Sequence, residues 1–271
     1  MSPGINKNSR TAISYYWATR LLKMAMSVYK WSTPGSWNKR YFQYTLYNWG
    51  YCSVIYTAKY GWIPQRCELN GYDIFETPNH IIVNNPFLYN IDRKIGEGCV
   101  LFKLNPDYSS IADTINFYAM NLAEMSITLY ANLVNTKISY VLTAEDKGQR
   151  ESMKKLIDQI LNGSPAVITK DTNVGNWQYF SQNVKQNYIV SELLIDMRKM
   201  LNQFNTEVGI PNTNTEKKER MLTDEIVSNN GETNAIASMR LEDFKETCKM
   251  LNNIAGESLM KVEWNNEVVG G

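Results

Sequence analysis

The stretch TEKKERMLTDEIVSNNGETNA, residues Thr215–Ala235, separates two segments whose apolar residues recur at helical spacing. Ahead of it, a helical pattern over residues 191–208 ends at Gly209, with Pro211 just beyond. The apolar positions are Leu193, Met197, Met200, Leu201 and Phe204 before the stretch, and Leu241, Phe244, Cys248 and Leu251 after it. A polar connection of this length in a compact chain is either disordered or functional, and the residues alone do not decide between the two.

The run Glu216–Glu225 within this stretch resembles the same-placed segment of the portal proteins of small, protein-primed podoviruses. These proteins are also called upper collar or head–tail connector proteins. The resemblance continues through Arg240–Phe244 to Met260–Val262, and as an order of elements it covers roughly the last 160 residues. It implies a phage portal fold: α+β, mainly α, with long stem helices, a small α/β clip and a wing, assembling into a ring.

The resemblance also implies a division of the chain. It gives residues 1–112 as N-terminal arm and wing, 113–137 as a stem helix, 138–187 as the clip, 188–209 as a second stem helix, and 210–271 as channel loop, wing helix and short C-terminal segment. The presence of a further C-terminal crown stays open.

Periodicity predicts the elements independently of any family. Residues 1–10 are polar and predict a mobile arm. From Thr11 a single helical face runs to Trp31 and ends at the breaker Pro34-Gly35; it comprises Ile13, Trp17, Leu21, Met24, Val28 and Trp31. Residues 37–51 are predicted to be helical, and residues 52–112, with their turn signals, to form short antiparallel strands whose fold the sequence leaves poorly defined.

Residues 113–136 carry the longest helical pattern, which would span roughly 35 Å. Between this helix and the one over residues 191–208, the pattern predicts a compact insert. Its expected elements are a strand at 138–142, a helix at 149–161 and strands at 166–169 and 177–180.

Two long helices alone are too thin a stem to bury all of their apolar side chains within one chain. Tyr118, Tyr130, Met197 and Phe204 would then need neighbouring subunits, and head-to-tail packing closes into a ring when the rotation allows it. The alternative is a bundle with the N-terminal helices of the same chain, which periodicity does not exclude.

Composition is that of a globular protein, with 44% apolar and 20% charged residues. The four cysteines lack a paired metal spacing and are expected to be reduced thiols in a cytosolic setting. No signal peptide and no membrane-spanning stretch is recognised, so we expect a soluble protein without a membrane partner.

The net charge of +1 hides an asymmetry. Up to Cys67 there are nine Lys or Arg residues and no acid, whereas the rest of the chain holds 19 basic and 27 acidic residues. A basic, aromatic N-terminal region can contact phosphates and bases, and the resemblance makes Lys7 and Arg10 the arm residues for a nucleic-acid or capsid contact. The pattern favours the alternative for the aromatics at helical spacing, in which Tyr16, Trp17, Tyr29 and Trp31 are helix core.

The resemblance makes the stretch after Thr215 a channel loop. Its candidate residues are Lys217, Lys218, Arg220, Asp224, Glu225, Asn229, Asn230 and Glu232. Three basic and five acidic side chains make it mildly acidic, which suits DNA that must slide rather than be gripped. Lys185 is a candidate for a basic ring at the channel wall, although an exposed surface lysine is the favoured interpretation.

Catalytic chemistry has no candidate in the sequence. The single histidine, His80, has no recognisable partner, and no glycine-rich phosphate loop occurs. Asp224 and Glu225 are adjacent acids that are more typical of a solvated segment than of a metal site. We therefore expect no enzyme activity, no metal and no cofactor.

These observations give the hypothesis of a portal subunit in a ring, by resemblance a dodecamer, which packages, retains and ejects DNA and docks the tail. The expected partners are double-stranded DNA, the major capsid protein, lower collar and tail proteins and a separate packaging ATPase. The expected location is the capsid vertex of the virion, with assembly in the host cytoplasm. The use of a packaging RNA, the subunit number, the pore width and the host stay open. The rival hypothesis is a monomeric nucleic-acid-binding module that uses the N-terminal region.

Overall fold

The computed structural model describes residues 7–135, 140–141, 180–181, 188–210 and 223–265, with isolated positions 148, 151, 154 and 158. The helices in this part of the chain are α1 (Lys7–Met26), α2 (Lys39–Trp49), α3 (Ala112–Asn135), α4 (Val190–Val208) and α5 (Thr223–Ala255). The strands are β1 (Tyr29–Ser32), β2 (Tyr51–Thr57), β3 (Gly61–Gln65), β4 (Glu68–Tyr72), β5 (Pro78–Asn85), β6 (Tyr89–Lys94), β7 (Cys99–Lys103), β8 (Tyr140–Val141), β9 (Phe180–Ser181) and β10 (Lys261–Trp264). The fold is a mixed α+β fold, as the sequence predicts.

The chain divides into two compact units. One contains residues 1–10 and Leu122–Arg198, and the other contains Thr11–Asn121 and Lys199–Gly271. In the first unit β8 pairs with β9, with Tyr140 opposite Ser181. These strands overlap the predicted strands at 138–142 and 177–180, while the predicted strand at 166–169 lies outside the described residues. Of the predicted helix at 149–161, only the isolated positions 151, 154 and 158 are described, and they are helical.

Two three-stranded antiparallel sheets form the β part of the second unit, in the strand orders β3-β2-β7 and β4-β5-β6. Their shared core is made of Ile55, Cys67, Ile81, Val83 and Cys99, all buried. This confirms the prediction of short antiparallel strands after residue 52, because each strand pairs antiparallel with its neighbours in the two sheets.

The N-terminal helix begins earlier and ends earlier than the sequence predicts. It begins at Lys7, so residues 7–10 are helix rather than arm, and it ends at Met26. Residues 29–32 are a strand in which Tyr29 and Trp31 are buried while Lys30 and Ser32 are exposed. This strand pairs antiparallel with β10, placing Trp31 opposite Val262. The prediction of one helical face as far as Trp31 was wrong because the last four residues alternate with the period of a strand.

Aromatic rings fill the core beneath this β1–β10 ribbon. The Phe244 ring lies 5.4 Å from the ring of Tyr29 and 4.9 Å from that of Trp31, measured between centroids. The prediction that Leu241, Phe244, Cys248 and Leu251 form one helical face is confirmed, since all four are buried on α5.

Helix ends follow the capping rules. The Asn38 side chain accepts a hydrogen bond of 3.0 Å from the backbone N–H of Tyr41 at the start of α2, inside the predicted 37–51 helix. Gly50 ends α2 with a φ of 86°, and an added Cβ would collide with the backbone of Tyr108 and Ser109. Gly209, at φ 88°, ends α4 at the predicted residue.

Candidate functional site

Long helices provide the surfaces that the hypothesis assigns to a stem. Helix α3 spans Ala112–Asn135 and α4 spans Val190–Val208, close to the predicted 113–136 and 191–208. Uninterrupted spacing of apolar residues without internal Pro or Gly explains why both form in full.

Within the second unit, α3 and α4 each bury one aromatic residue against the other helix. The rings of Tyr118 and Phe204 meet edge to face with centroids 5.4 Å apart, and both side chains are buried. The Tyr118 hydroxyl donates a hydrogen bond of 2.5 Å to the Glu207 carboxylate. Burial raises the pKa of Tyr118 well above its ordinary value, and the negative charge of the Glu207 carboxylate raises this pKa further. The prediction that Tyr118 and Phe204 need neighbouring subunits was therefore wrong, because the chain buries them itself.

Within the first unit, the same two helices leave apolar side chains in solvent. The exposed ones are Tyr130 and Leu133 on α3, and Tyr188, Ile189, Leu194 and Ile195 at and before the start of α4. Met197 is half-buried. A hydrogen bond of 3.3 Å from the Ile189 backbone N–H to the Asn132 side chain joins the two segments. Tyr130 is thus exposed, and its burial by a neighbouring subunit stays a prediction.

The two predicted arm residues lie at the start of α1. Only the backbone of Lys7 belongs to the described part of the chain, whereas the Arg10 guanidinium binds the Glu124 carboxylate through two contacts of 2.8 and 3.0 Å. Both side chains are more than half exposed, so this ion pair contributes little to stability. Of the two predicted arm residues, Arg10 is the one whose side chain is described, and its charge is already paired with Glu124.

The N-terminal aromatics divide between core and surface. Trp17 is buried on α1, which confirms the helix-core interpretation, and the exposed Tyr16 contradicts it. Tyr29 and Trp31 are buried as predicted, but on the strand β1 rather than on a helix. The Arg20 guanidinium lies 5.3 Å from the Trp17 ring centroid. The Arg20 side chain therefore lies against one of the protein's own rings.

The predicted channel loop becomes helix at Thr223, where α5 begins. Five of its candidate residues therefore lie on a helical backbone: Asp224, Glu225, Asn229, Asn230 and Glu232. The flexible-loop prediction was wrong for this part. The acids just after Thr223 are typical of a helix N-terminus and could have indicated that a helix begins there. Gly231 inside the helix argued against it, because glycine is unfavourable in a helix interior. Lys217, Lys218, Arg220 and Lys185 lie outside the described residues.

No group of three or more His, Cys, Asp or Glu side chains within the described ranges could hold a metal ion. His80 lies on β5, with its Nδ1 atom 2.6 Å from the Asn79 side-chain oxygen. None of the helices that the structure describes combines the length and the apolar character needed to cross a bilayer.

The fold with long helices and small antiparallel sheets is that of phage portal proteins. The chain is similar to the solved structure described as portal and tail of native bacteriophage P68, with a TM-score of 0.50 and 17% identity over 96% of this chain and 89% of that chain. The sequence matches the model of the Phage Connector (GP10) family over residues 4–269, and the chain belongs to this family.

Membership gives the protein a head–tail connector role, in an oligomeric assembly with capsid and tail proteins at the head–tail junction of the virion. It confirms the family that Glu216–Glu225 indicated. The rival hypothesis of a monomeric nucleic-acid-binding module receives no support.

Proposed function

We propose that copies of this chain close into a ring, by family resemblance a dodecamer, whose central channel passes double-stranded DNA during packaging and ejection and retains it in between. The observation that carries this proposal is the family match over residues 4–269. The apolar residues left exposed on α3 and α4, among them Tyr130, Leu194 and Ile195, support it because neighbouring copies would cover them.

The proposed mechanism is geometric and electrostatic, without catalysis by this chain. A separate ATPase would drive the DNA, the clip would dock the packaging machinery and tail proteins, and assembly would take place in the host cytoplasm. The stretch Thr215–Ala235 carries three basic and five acidic residues, so a ring of these segments would repel the duplex weakly. DNA would then slide past without the additive phosphate contacts that arrest movement.

The purified protein is expected to form rings without DNA. Mass photometry at two protein concentrations should show a dominant species at about twelve times the chain mass of 31.2 kDa. Electron microscopy of the same sample should show a central hole. A single species of 31.2 kDa at both concentrations and across a range of salt would contradict the proposal.

A further inference from the structure

The turn between β4 and β5 carries large apolar side chains into solvent. Ile74 is 89% exposed and Phe75 is 79% exposed, and Tyr72 beside them is also exposed. We call residues 72–77 the apolar tip. Neighbouring apolar side chains that are this fully hydrated mark a surface that is covered in the working assembly.

The apolar tip has a fixed conformation. The Asp73 carboxylate accepts hydrogen bonds of 2.8 Å from the Phe75 N–H and 2.9 Å from the Thr77 N–H. The Asp73 N–H donates to the Thr77 carbonyl at 3.1 Å, and Glu76 adopts a φ of 58° that completes the turn. A rigid tip loses little conformational entropy when it is buried by a partner.

An aromatic groove lies elsewhere on the same unit. Its volume is about 460 Å³, within the range of protein binding sites. Its apolar lining includes Trp37, Tyr41, Tyr60, Ile63, Pro64 and Phe87. The Trp37 indole N–H donates to the Trp62 carbonyl at 2.7 Å, and the Asn85 amide donates to the Gln65 side chain at 3.0 Å. These bonds hold the lining segments together, so the groove is preformed.

The apolar tip and the aromatic groove lie at opposite ends of β5. At one end Pro78 pairs with Tyr72 of the tip, and at the other end Asn85 pairs with Tyr89 beyond the groove. Eight residues of strand separate the ends by about 25 Å. The tip of a chain therefore cannot fill the groove of the same chain.

The two surfaces are also complementary in charge. The tip carries two acids, Asp73 and Glu76, whereas the charged residues between positions 36 and 65 are Lys39, Arg40 and Lys59. Lys59 lies against the groove, with its ammonium 4.9 Å from the Tyr60 ring centroid. An acidic apolar tip fits an aromatic groove that has Lys59 beside it better than it fits another acidic tip.

We propose that the apolar tip of one copy inserts into the aromatic groove of the next copy around the ring. Two different, complementary surfaces on one chain form a head-to-tail contact, and such a contact closes into a ring when its rotation permits. The occupant is a second copy because the chain itself supplies both halves, which are apolar and carry opposite charges. This inference rests on the proposed ring and names one of its subunit contacts.

Cysteine cross-linking tests the contact. The variants combine Phe75→Cys in the tip with Phe87→Cys or, separately, with Tyr60→Cys in the groove. The native thiols Cys52, Cys67, Cys99 and Cys248 are buried, and burial raises the pKa of Cys67 to about 11, so they will not interfere under mild oxidation. At least one double variant should give a non-reducing gel ladder of dimer, trimer and higher species that collapses on reduction.

Each single variant, and Phe75→Cys combined with exposed Ile254→Cys on α5, are the controls and should give no ladder beyond dimer. As a second measurement, Phe75→Asp should raise the protein concentration below which the oligomer dissociates by at least about tenfold, since it removes an apolar phenyl group from the contact. Its melting temperature as a dissociated chain should stay unchanged.

The outcomes separate the inference from the proposed function. Rings that form normally with Phe75→Asp, or that give no ladder with either pair, would overturn the tip-in-groove contact and leave the ring in place. Wild-type protein that never assembles would overturn both.

Discussion

Phe244→Ala is expected to lower the free energy of unfolding by about 3–5 kcal/mol, the range for removal of a fully buried aromatic side chain. Phe244 has no exposed surface and packs against the rings of Tyr29 and Trp31. Those two residues belong to β1, which pairs with β10, so the cavity would also weaken the packing of the β1–β10 ribbon on α5. Chemical denaturation of the dissociated chain measures the loss.

The matched control is Met239→Ala on the same helix, where the side chain is 42% exposed. It should change stability by no more than about 0.5 kcal/mol. Since assembly adds to apparent stability, both variants must be compared at one protein concentration. If the two substitutions cost the same, α5 does not pack as described.

Helical periodicity correctly predicted the helices whose core-facing apolar residues recur along one face. Helices α3 and α4, and the buried face of α5 around Leu241 and Phe244, follow from apolar residues at a spacing of about 3.6 that face a core. The end of α4 at Gly209 was predicted as well, because glycine tolerates the left-handed backbone that ends a helix. The helix predicted over residues 37–51, by contrast, ran past Gly50, where α2 ends.

The errors arose where local pattern is ambiguous. Val28 and Trp31 are three residues apart, which fits a helix, but alternation over residues 29–32 fits a strand, and pairing with distant β10 decided between them. Likewise, Tyr118 and Phe204 were assigned to neighbouring subunits because periodicity does not reveal which faces of α3 and α4 meet. Both outcomes depend on contacts distant in sequence.

The apolar tip and the aromatic groove could not be predicted from the sequence for the same reason. The tip reads as an ordinary turn, since Asp73 and Thr77 are common turn residues. The groove collects side chains from α2, β3 and the β5–β6 turn, which only the fold brings together. By contrast, the family was within reach, because Glu216–Glu225 is a continuous run.

Charge reversal at the start of α5 is expected to make the ring grip DNA. The triple variant Asp224→Lys, Glu225→Lys and Glu232→Lys changes Thr215–Ala235 from three basic and five acidic residues to six basic and two acidic. If these segments line the channel, each new phosphate contact should steepen the dependence of log K on log salt by about 0.9. With six or more contacts per ring, affinity for duplex DNA should fall by about 10³-fold or more between about 50 mM and about 200 mM salt.

The matched control adds the same charge outside Thr215–Ala235, as Glu242→Lys, Glu246→Lys and Glu257→Lys at three exposed positions. Rings of both variants, purified to the same mass, should be compared by DNA binding at the two salt concentrations. The expected result is a steep salt dependence for the first variant alone, together with stalled DNA passage in complemented phage. Equal slopes for both would show that DNA responds to net charge rather than to the segment before Ala235, and the channel assignment would then be wrong. A variant that binds no tighter than wild type while its rings stay intact would place this segment away from the DNA path altogether.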